Sequence, residues 1–284
     1  MDRVLIIIII MPKILTEEFK KEIRDFYLIY PMSYTYVAKK FHICKPTVAK
    51  ILAGLPVYTR SVIFSPELQE NYFNVIDSER KAYFLGLIVS DGNVFVHDGK
   101  RIHNQSKVSI TLDSHDEYLL DIFKSELRSN RVITHDGRGC SEIMISSSTM
   151  VNDLSKYGIV PRKSFFTKLP DNIPDEFLGA FIRGVLDGDG NVTYKETKRR
   201  FVHVISFCGS HQLMCDIGDK LHELGIITHK RKVYDYKDRV LSEFKISRKD
   251  DIFSLYSWMY KDATVYMKRK KDKFDFIRRF YGFV

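Results

Sequence analysis

The stretch Ala82-Tyr83-Phe84-Leu85-Gly86-Leu87-Ile88-Val89-Ser90-Asp91-Gly92-Asn93-Val94 occurs a second time, altered, as Ala180-Phe181-Ile182-Arg183-Gly184-Val185-Leu186-Asp187-Gly188-Asp189-Gly190-Asn191-Val192. Ala, Gly, Asp, Gly, Asn and Val hold the same six places in both copies, at a constant offset of 98 positions. Ala82 and Gly86 are four residues apart, as are Ala180 and Gly184, and that spacing puts side chains on one helical face. Two small residues there let a second helix approach closely, while Leu85, Leu87 and Ile88 surround the face with apolar bulk. Asp-Gly-Asn is predicted to end each helix, because Gly readily takes positive φ. The expectation is a pseudo-dimer whose helices meet at Ala82, Gly86, Ala180 and Gly184, with Asp91 and Asp189 at the bottom of the pair. One Asp-Gly-Asn turn alone would favour an ordinary amphipathic helix. Two copies at a fixed offset, each followed by Val and a strand-like segment, favour duplication.

The similarity continues downstream. Ser114-His115 recurs as Ser210-His211, Ile133-Thr134-His135 as Ile227-Thr228-His229, and Ser141-Glu142 as Ser242-Glu243, in the same order. Each half reads as helix, two strands, helix, two strands, helix. Predicted helices cover 79–90, 116–128 and 148–157, then 175–187, 211–224, 249–260 and 269–281. Predicted strands cover 93–98, 106–113, 131–136 and 141–146, then 191–197, 201–208, 227–236 and 239–247. This is an α+β pattern, with antiparallel sheet covered by helices on one face and the other face free for a ligand.

Both blocks resemble the LAGLIDADG motif of homing endonucleases. Residues 84–92 lie under the nine motif letters in the first copy and residues 182–190 in the second. The sixth letter, usually Asp, is Val89 in one and Asp187 in the other. The eighth, which carries the metal in that family, is Asp in both. The resemblance covers roughly residues 78–284 and implies two pseudo-symmetric halves forming a saddle over double-stranded DNA, cut at a long recognition site with two or more divalent ions. Phosphodiester hydrolysis needs an activated water, a stabilised pentavalent phosphate and a neutralised leaving oxygen, and divalent metals supply all three. Mg²⁺ is content with few carboxylates plus waters and phosphate oxygens, so two aspartates suffice. Asp91 and Asp189 are the candidate ligands. The backbone carbonyls of Ser90 and Gly188 are added as the resemblance implies. It also places basic residues near the metals, for which Lys163 and Lys268 are the candidates, the register at Lys268 being open by two residues.

Sequence-reading side chains would point outward from the strands. With Val94 and Val96 inward, alternation exposes Phe95 and His97; with Val192 and Tyr194 inward, it exposes Thr193 and Lys195. Base contacts carry sequence information and phosphate contacts fix register.

Upstream, residues 1–60 read as a small all-α module. Thr16 precedes two acids at a helix start. Ser33 to Lys40 gives a second helix. Lys45-Pro46-Thr47-Val48-Ala49-Lys50-Ile51-Leu52 gives a third, with Pro where its missing N–H costs little and Gly54 closing it. The module resembles a helix-turn-helix, whose second helix enters the major groove, with Lys45, Thr47 and Lys50 as candidate contacts and Lys39 and Lys40 near phosphates. Residues 61–77 read as a linker, 78–170 as the first half and 171–284 as the second.

The chain has 284 residues and a formal charge of +9, which favours a polyanionic partner. Seven basic side chains against two acidic ones fall between Lys268 and Arg279. Four cysteines (Cys44, Cys140, Cys208, Cys215) form no CxxC pair, so zinc or a disulfide framework is not expected. Val4 to Met11 is continuously apolar but too short to span a bilayer and lacks a signal peptide's flanks. It is either a strand or an upstream artefact ahead of Met11. The combined expectation is a monomeric Mg²⁺-dependent endonuclease in a DNA-containing compartment (cytoplasm, nucleoid or organelle), neither secreted nor membrane-bound. The alternatives are a catalytically silent DNA-binding regulator and an intron RNA maturase. An excised intein is disfavoured by the opening Met and the closing Gly-Phe-Val.

Overall fold

The computed structural model describes residues 15–30, 32–55, 67–97, 106–196, 198, 201–230, 232–236 and 241–282. The apolar run at Val4–Met11 and the first part of the predicted linker lie outside them. The chain divides into two compact units, residues 1–66 and 67–284.

The first unit contains α1 (Glu17–Ile29), α2 (Tyr34–Lys40) and α3 (Lys45–Ile51). The Thr16 hydroxyl accepts from the Phe19 amide at 3.2 Å and the Ser33 hydroxyl from the Tyr36 amide at 3.1 Å, so two of the helices start on side-chain caps. Pro46 occupies the first turn of α3. Ile23, Tyr27, Val37, Ala38, Phe41, Val48, Ile51 and Leu52 form a separate small core. Gly54 follows α3 with φ +85°, the left-handed conformation that glycine adopts without strain.

The second unit is two copies of one α+β arrangement. The first runs α4 (Glu79–Asp91), β1 (Gly92–Phe95), β2 (Lys107–Asp113), α5 (Glu117–Glu126), β3 (Thr134–His135), β4 (Cys140–Ser146) and α6 (Ser148–Ser155). The second runs α7 (Asp175–Asp189), β5 (Asn191–Glu196), β6 (Phe201–Gly209), α8 (His211–Glu223), β7 (Val233–Tyr234), β8 (Ser242–Ile246), α9 (Lys249–Met259) and α10 (Lys268–Phe280). Each half builds a four-stranded antiparallel sheet, ordered β1-β2-β4-β3 and β5-β6-β8-β7. Strict alternation of buried residues along β4 and β8 shows that one face packs on the helices while the other stays open.

Two expectations are corrected. Residues 67–77 are not a linker throughout, because Tyr72, Phe73 and Ile76 are buried in the core of the second unit. Apolar bulk of that size is buried because exposing it to water is unfavourable. The third strand of each half is also far shorter than predicted, two residues each.

Helices α4 and α7 pack on one another at the centre of the unit. An added Cβ at Gly86 would overlap the Phe181 carbonyl, and one at Gly184 would overlap the Tyr83 carbonyl and sit 2.8 Å from the Leu87 nitrogen. The two backbones therefore meet directly, and only glycine fits at either crossing point. Ala82 and Ala180 are buried one turn earlier on each helix.

Candidate nuclease centre

Asp91 and Asp189 are the last residues of α4 and α7. What ends each helix differs from the sequence expectation. Gly92 has φ −84° and Gly190 φ −88°, so neither is left-handed. Glycine is required for space: a Cβ at Gly92 would come within 2.5 Å of the Ile88 carbonyl oxygen, and one at Gly190 within 2.6 Å of that of Leu186. The chain turns from helix directly into the first strand of each sheet, and each carboxylate sits at that corner.

The two corners adjoin. A Cβ at Gly188 would lie 3.1 Å from Asp91 Oδ2 and would overlap the Ser90 hydroxyl. Burial, then the charge of Asp189, pushes the Asp91 carboxyl up to about 6, against the pull of Lys270 and Lys163. Burial likewise raises Asp189, opposed by Lys163 and Lys270. Two adjoining carboxylates, Asp91 half-buried and Asp189 more exposed, both held above their ordinary range, form a donor set that a divalent cation would relieve. Among the described residues no cluster of three or more His, Cys, Asp or Glu is placed to hold a metal. Two carboxylates plus non-protein oxygens is the form of site that suits Mg²⁺.

A lysine is fixed at each corner. Lys163, on a short turn after Arg162 (φ +63°), donates from Nζ to the carbonyls of Val89 at 2.7 Å and Ser90 at 3.2 Å. Lys270, in the first turn of α10, donates to the carbonyls of Leu186 (2.8 Å), Asp187 (2.5 Å), Gly188 (3.0 Å) and Gly190 (2.7 Å). Most of these are the last carbonyls of α4 and α7, which have no partner within the helix and carry its negative end. Both lysines are buried, and burial pulls each down to about 8 despite the nearby carboxylates. The Ser90 and Gly188 carbonyls, the remaining candidate metal donors, each already accept one lysine bond.

Lys268 is not the counterpart of Lys163. It is exposed, with its ammonium 4.5 Å from the centre of the Tyr118 ring. Lys270 holds the matching place, two positions on. The copies do not keep their offset of 98 beyond the motif, since Ser141 pairs with Ser242 and Ile133 with Ile227, so counting alone fails there. The overlooked signal is periodicity: Lys270, Phe274 and Ile277 are the buried residues of α10, a lysine on an apolar stripe. Others of the basic run are engaged in ion pairs at the surface. Arg269 pairs with Asp116 at 2.7 Å and Lys271 with Asp275 at 2.7 Å.

Sequence reading also missed the buried polar groups behind the corners. Asp187 is fully buried, and its Oδ2 accepts from the Tyr83 hydroxyl of α4 at 2.9 Å and from the Met267 amide at 2.7 Å. Arg183, 1% exposed, pairs with Glu79 and donates to the carbonyls of Val265 and Met259.

Of the proposed DNA contacts, Phe95, Thr193 and Lys195 are exposed and His97 is half-buried. Two inward assignments fail. Val96 is 60% exposed because β1 stops at Phe95, and strand alternation does not extend past the strand. Tyr194 is 40% exposed, its ring lying against Phe276 of α10 at 4.3 Å and Phe201 at 5.9 Å. In the first unit Lys45 and Lys50 are exposed, and the Thr47 hydroxyl lies 2.9 Å from the Cys44 sulfur.

Comparison with known proteins agrees with this architecture. Residues 176–256 match the family model described as a LAGLIDADG-like domain. The LAGLIDADG meganuclease I-AabMI, solved on uncleaved DNA, superposes with a TM-score of 0.51 at 14% identity, covering 70% of this chain and 90% of that one. The homing endonuclease I-LtrWI, solved on its target DNA, gives 0.51 at 13% identity over 75% and 92%. Meganuclease I-SmaMI on uncleaveable DNA gives 0.51 at 14% over 69% and 87%. Among curated sequences, DNA-directed RNA polymerase subunit Rpo1C of Methanocaldococcus jannaschii is 28% identical over 156 residues. The match takes in 53% of this chain but only 16% of that protein. The second unit thus has the LAGLIDADG endonuclease fold, and its second half matches the LAGLIDADG-like domain model.

Proposed function

We propose that the second unit is a site-specific DNA endonuclease that cuts both strands of a long duplex site, acting as a monomer in a DNA-containing compartment. The observation that carries this reading is the meeting of Asp91 and Asp189 at the foot of one glycine-packed helix pair, each beside a buried lysine. Divalent cations, Mg²⁺ being the natural choice, would supply Lewis acidity to the water, the phosphate and the leaving oxygen. Asp91 and Asp189 would hold those cations, one for each strand. Lys163 and Lys270 bind the helix-end carbonyls, which keeps both corners rigid, and add positive charge beside a phosphate. The open sheet faces, with Phe95, His97, Thr193 and Lys195, would meet the DNA. The first unit would add a helix-turn-helix contact through Lys45, Thr47 and Lys50. Among the described residues no helix is long and apolar enough to cross a membrane.

The test is selection of cleaved sites from a random duplex library with Mg²⁺. Recovery of one long consensus cut in both strands supports the reading, whereas a protein that selects a duplex without cutting it is a regulator. Asp91→Asn and Asp189→Asn are each expected to abolish double-strand cleavage with little loss of affinity, because phosphate contacts carry most of the binding. Full double-strand cleavage by both variants would remove the metal-ligand assignment.

A further inference from the structure

The duplication is broken at one buried position. The sixth motif place is apolar in the first half, Val89, and a carboxylate in the second, Asp187, with no solvent exposure. Asp187 Oδ2 receives the Met267 amide at 2.7 Å. Met267 is the residue immediately before α10, and that helix has no side-chain cap from its own segment. The carboxylate of α7 therefore caps α10 from outside, at the end of the helix where a negative charge is favoured. Three residues on, Lys270 reaches back to four carbonyls at the end of α7, one of them that of Asp187 itself. Asp187 and Lys270 thus close a loop between the end of α7 and the start of α10. The Tyr83 hydroxyl, donating to the same Oδ2 at 2.9 Å, ties that loop to α4. The first half is built differently. Lys163 reaches two carbonyls, from a turn that rests on the left-handed backbone of Arg162.

We propose that Asp187 is a positioning residue that sets Lys270, so that the two strands are cut by centres of unequal construction and only one of them depends on a buried carboxylate. The proposal rests on the nuclease reading for its consequence and on geometry alone for the positioning itself. Two measurements keep these apart. The first is labelling of the free protein with an N-hydroxysuccinimide acetate ester, read lysine by lysine by peptide mass spectrometry. Lys270 and Lys163 are expected to be protected in the wild-type chain. In Asp187→Val, which gives the second half the side chain of the first, Lys270 is expected to label about ten-fold faster or more, in line with loss of an orienting partner. Lys163 is expected to keep its protection. Asp187→Asn, which keeps the shape but loses the charge, is expected to fall between wild type and Asp187→Val, and decides the matter if the valine variant does not fold. The second measurement is cleavage of the selected duplex with each strand end-labelled separately. Asp187→Val is expected to slow one strand about ten-fold while the other keeps its rate, so nicked duplex accumulates.

Wild-type protection of Lys270 in a folded Asp187→Val, or in Asp187→Asn where the valine variant fails, overturns the proposal. So does equal deprotection of both lysines, or equal slowing of both strands, since each reports general loosening. If the wild type cuts no duplex, the nuclease reading fails and the labelling alone decides the positioning claim.

Discussion

At the scale of single residues the molecule holds titratable groups under tension. Asp91 sits at about 6 against an ordinary 3.8. An acid with a raised folded-state pKa binds more protons folded than unfolded, so its ionisation lowers stability as pH rises through the window between the two values. In metal-free protein the penalty is absent below about pH 4 and complete above about pH 6. A shift of that size corresponds to about 3 kcal/mol. Urea unfolding of Asp91→Asn and wild type is therefore expected to diverge in favour of the variant between pH 4 and pH 7. Parallel stability curves would mean that Asp91 is not strained. Lys163 and Lys270 act with the opposite slope. Held at about 8 against an ordinary 10.5, they bind fewer protons folded, and their penalty is relieved as pH rises from 8 toward 10.5. Replacing either with Met should flatten the stability curve in that alkaline range, and an unchanged curve would count against its burial as a charged group.

At the scale of elements the decisive contact is helix on helix. At Gly86 and Gly184 the obstructing atoms are backbone, which cannot rotate away. Gly86→Leu and Gly184→Leu are each expected to cost about 3 kcal/mol, the upper end of the usual range for overpacking, or to prevent folding. Equal melting temperatures for variant and wild type would show that the helices do not cross there. Gly92→Ala should destabilise too, through the Ile88 carbonyl rather than through φ. The helix pair, the succession of helices and strands along each half and the place of the two aspartates at the helix ends were legible in the sequence, because a repeated small-residue spacing and a repeated Asp-Gly-Asn leave few other arrangements. Lys270 was not, since loop lengths diverge between the halves and shift the count. The exposure of Val96 and Tyr194 was not legible either, since alternation says nothing about where a strand stops or how much of each side chain is covered. The bonds of Asp187 to Met267 and of Arg183 to Val265 join segments far apart in the chain, and no local pattern announces them.

At the scale of the whole molecule, two units with separate cores invite separation. Removing residues 1–66 is expected to leave the fold and cleavage chemistry of the second unit in place. Affinity for the full site should fall, since a tethered second contact acts through effective concentration. The slope of log K against log salt should become shallower by about 0.9 for each phosphate that the shortened chain no longer neutralises. A footprint of unchanged length together with an unchanged slope would strike Lys45, Thr47 and Lys50 from the interface.

The direct backbone contact between α4 and α7 has one more consequence. It sets the separation of Asp91 and Asp189 by backbone against backbone, a distance that holds only while Gly86 and Gly184 stay glycine. In a nuclease that separation is a ruler for the stagger between the two nicks, hence for the single-stranded overhang left behind. On the proposed function, strand residues such as Phe95, Thr193 and Lys195 lie outside this ruler, so the site recognised would be free to change over generations while the shape of the break would be inherited intact.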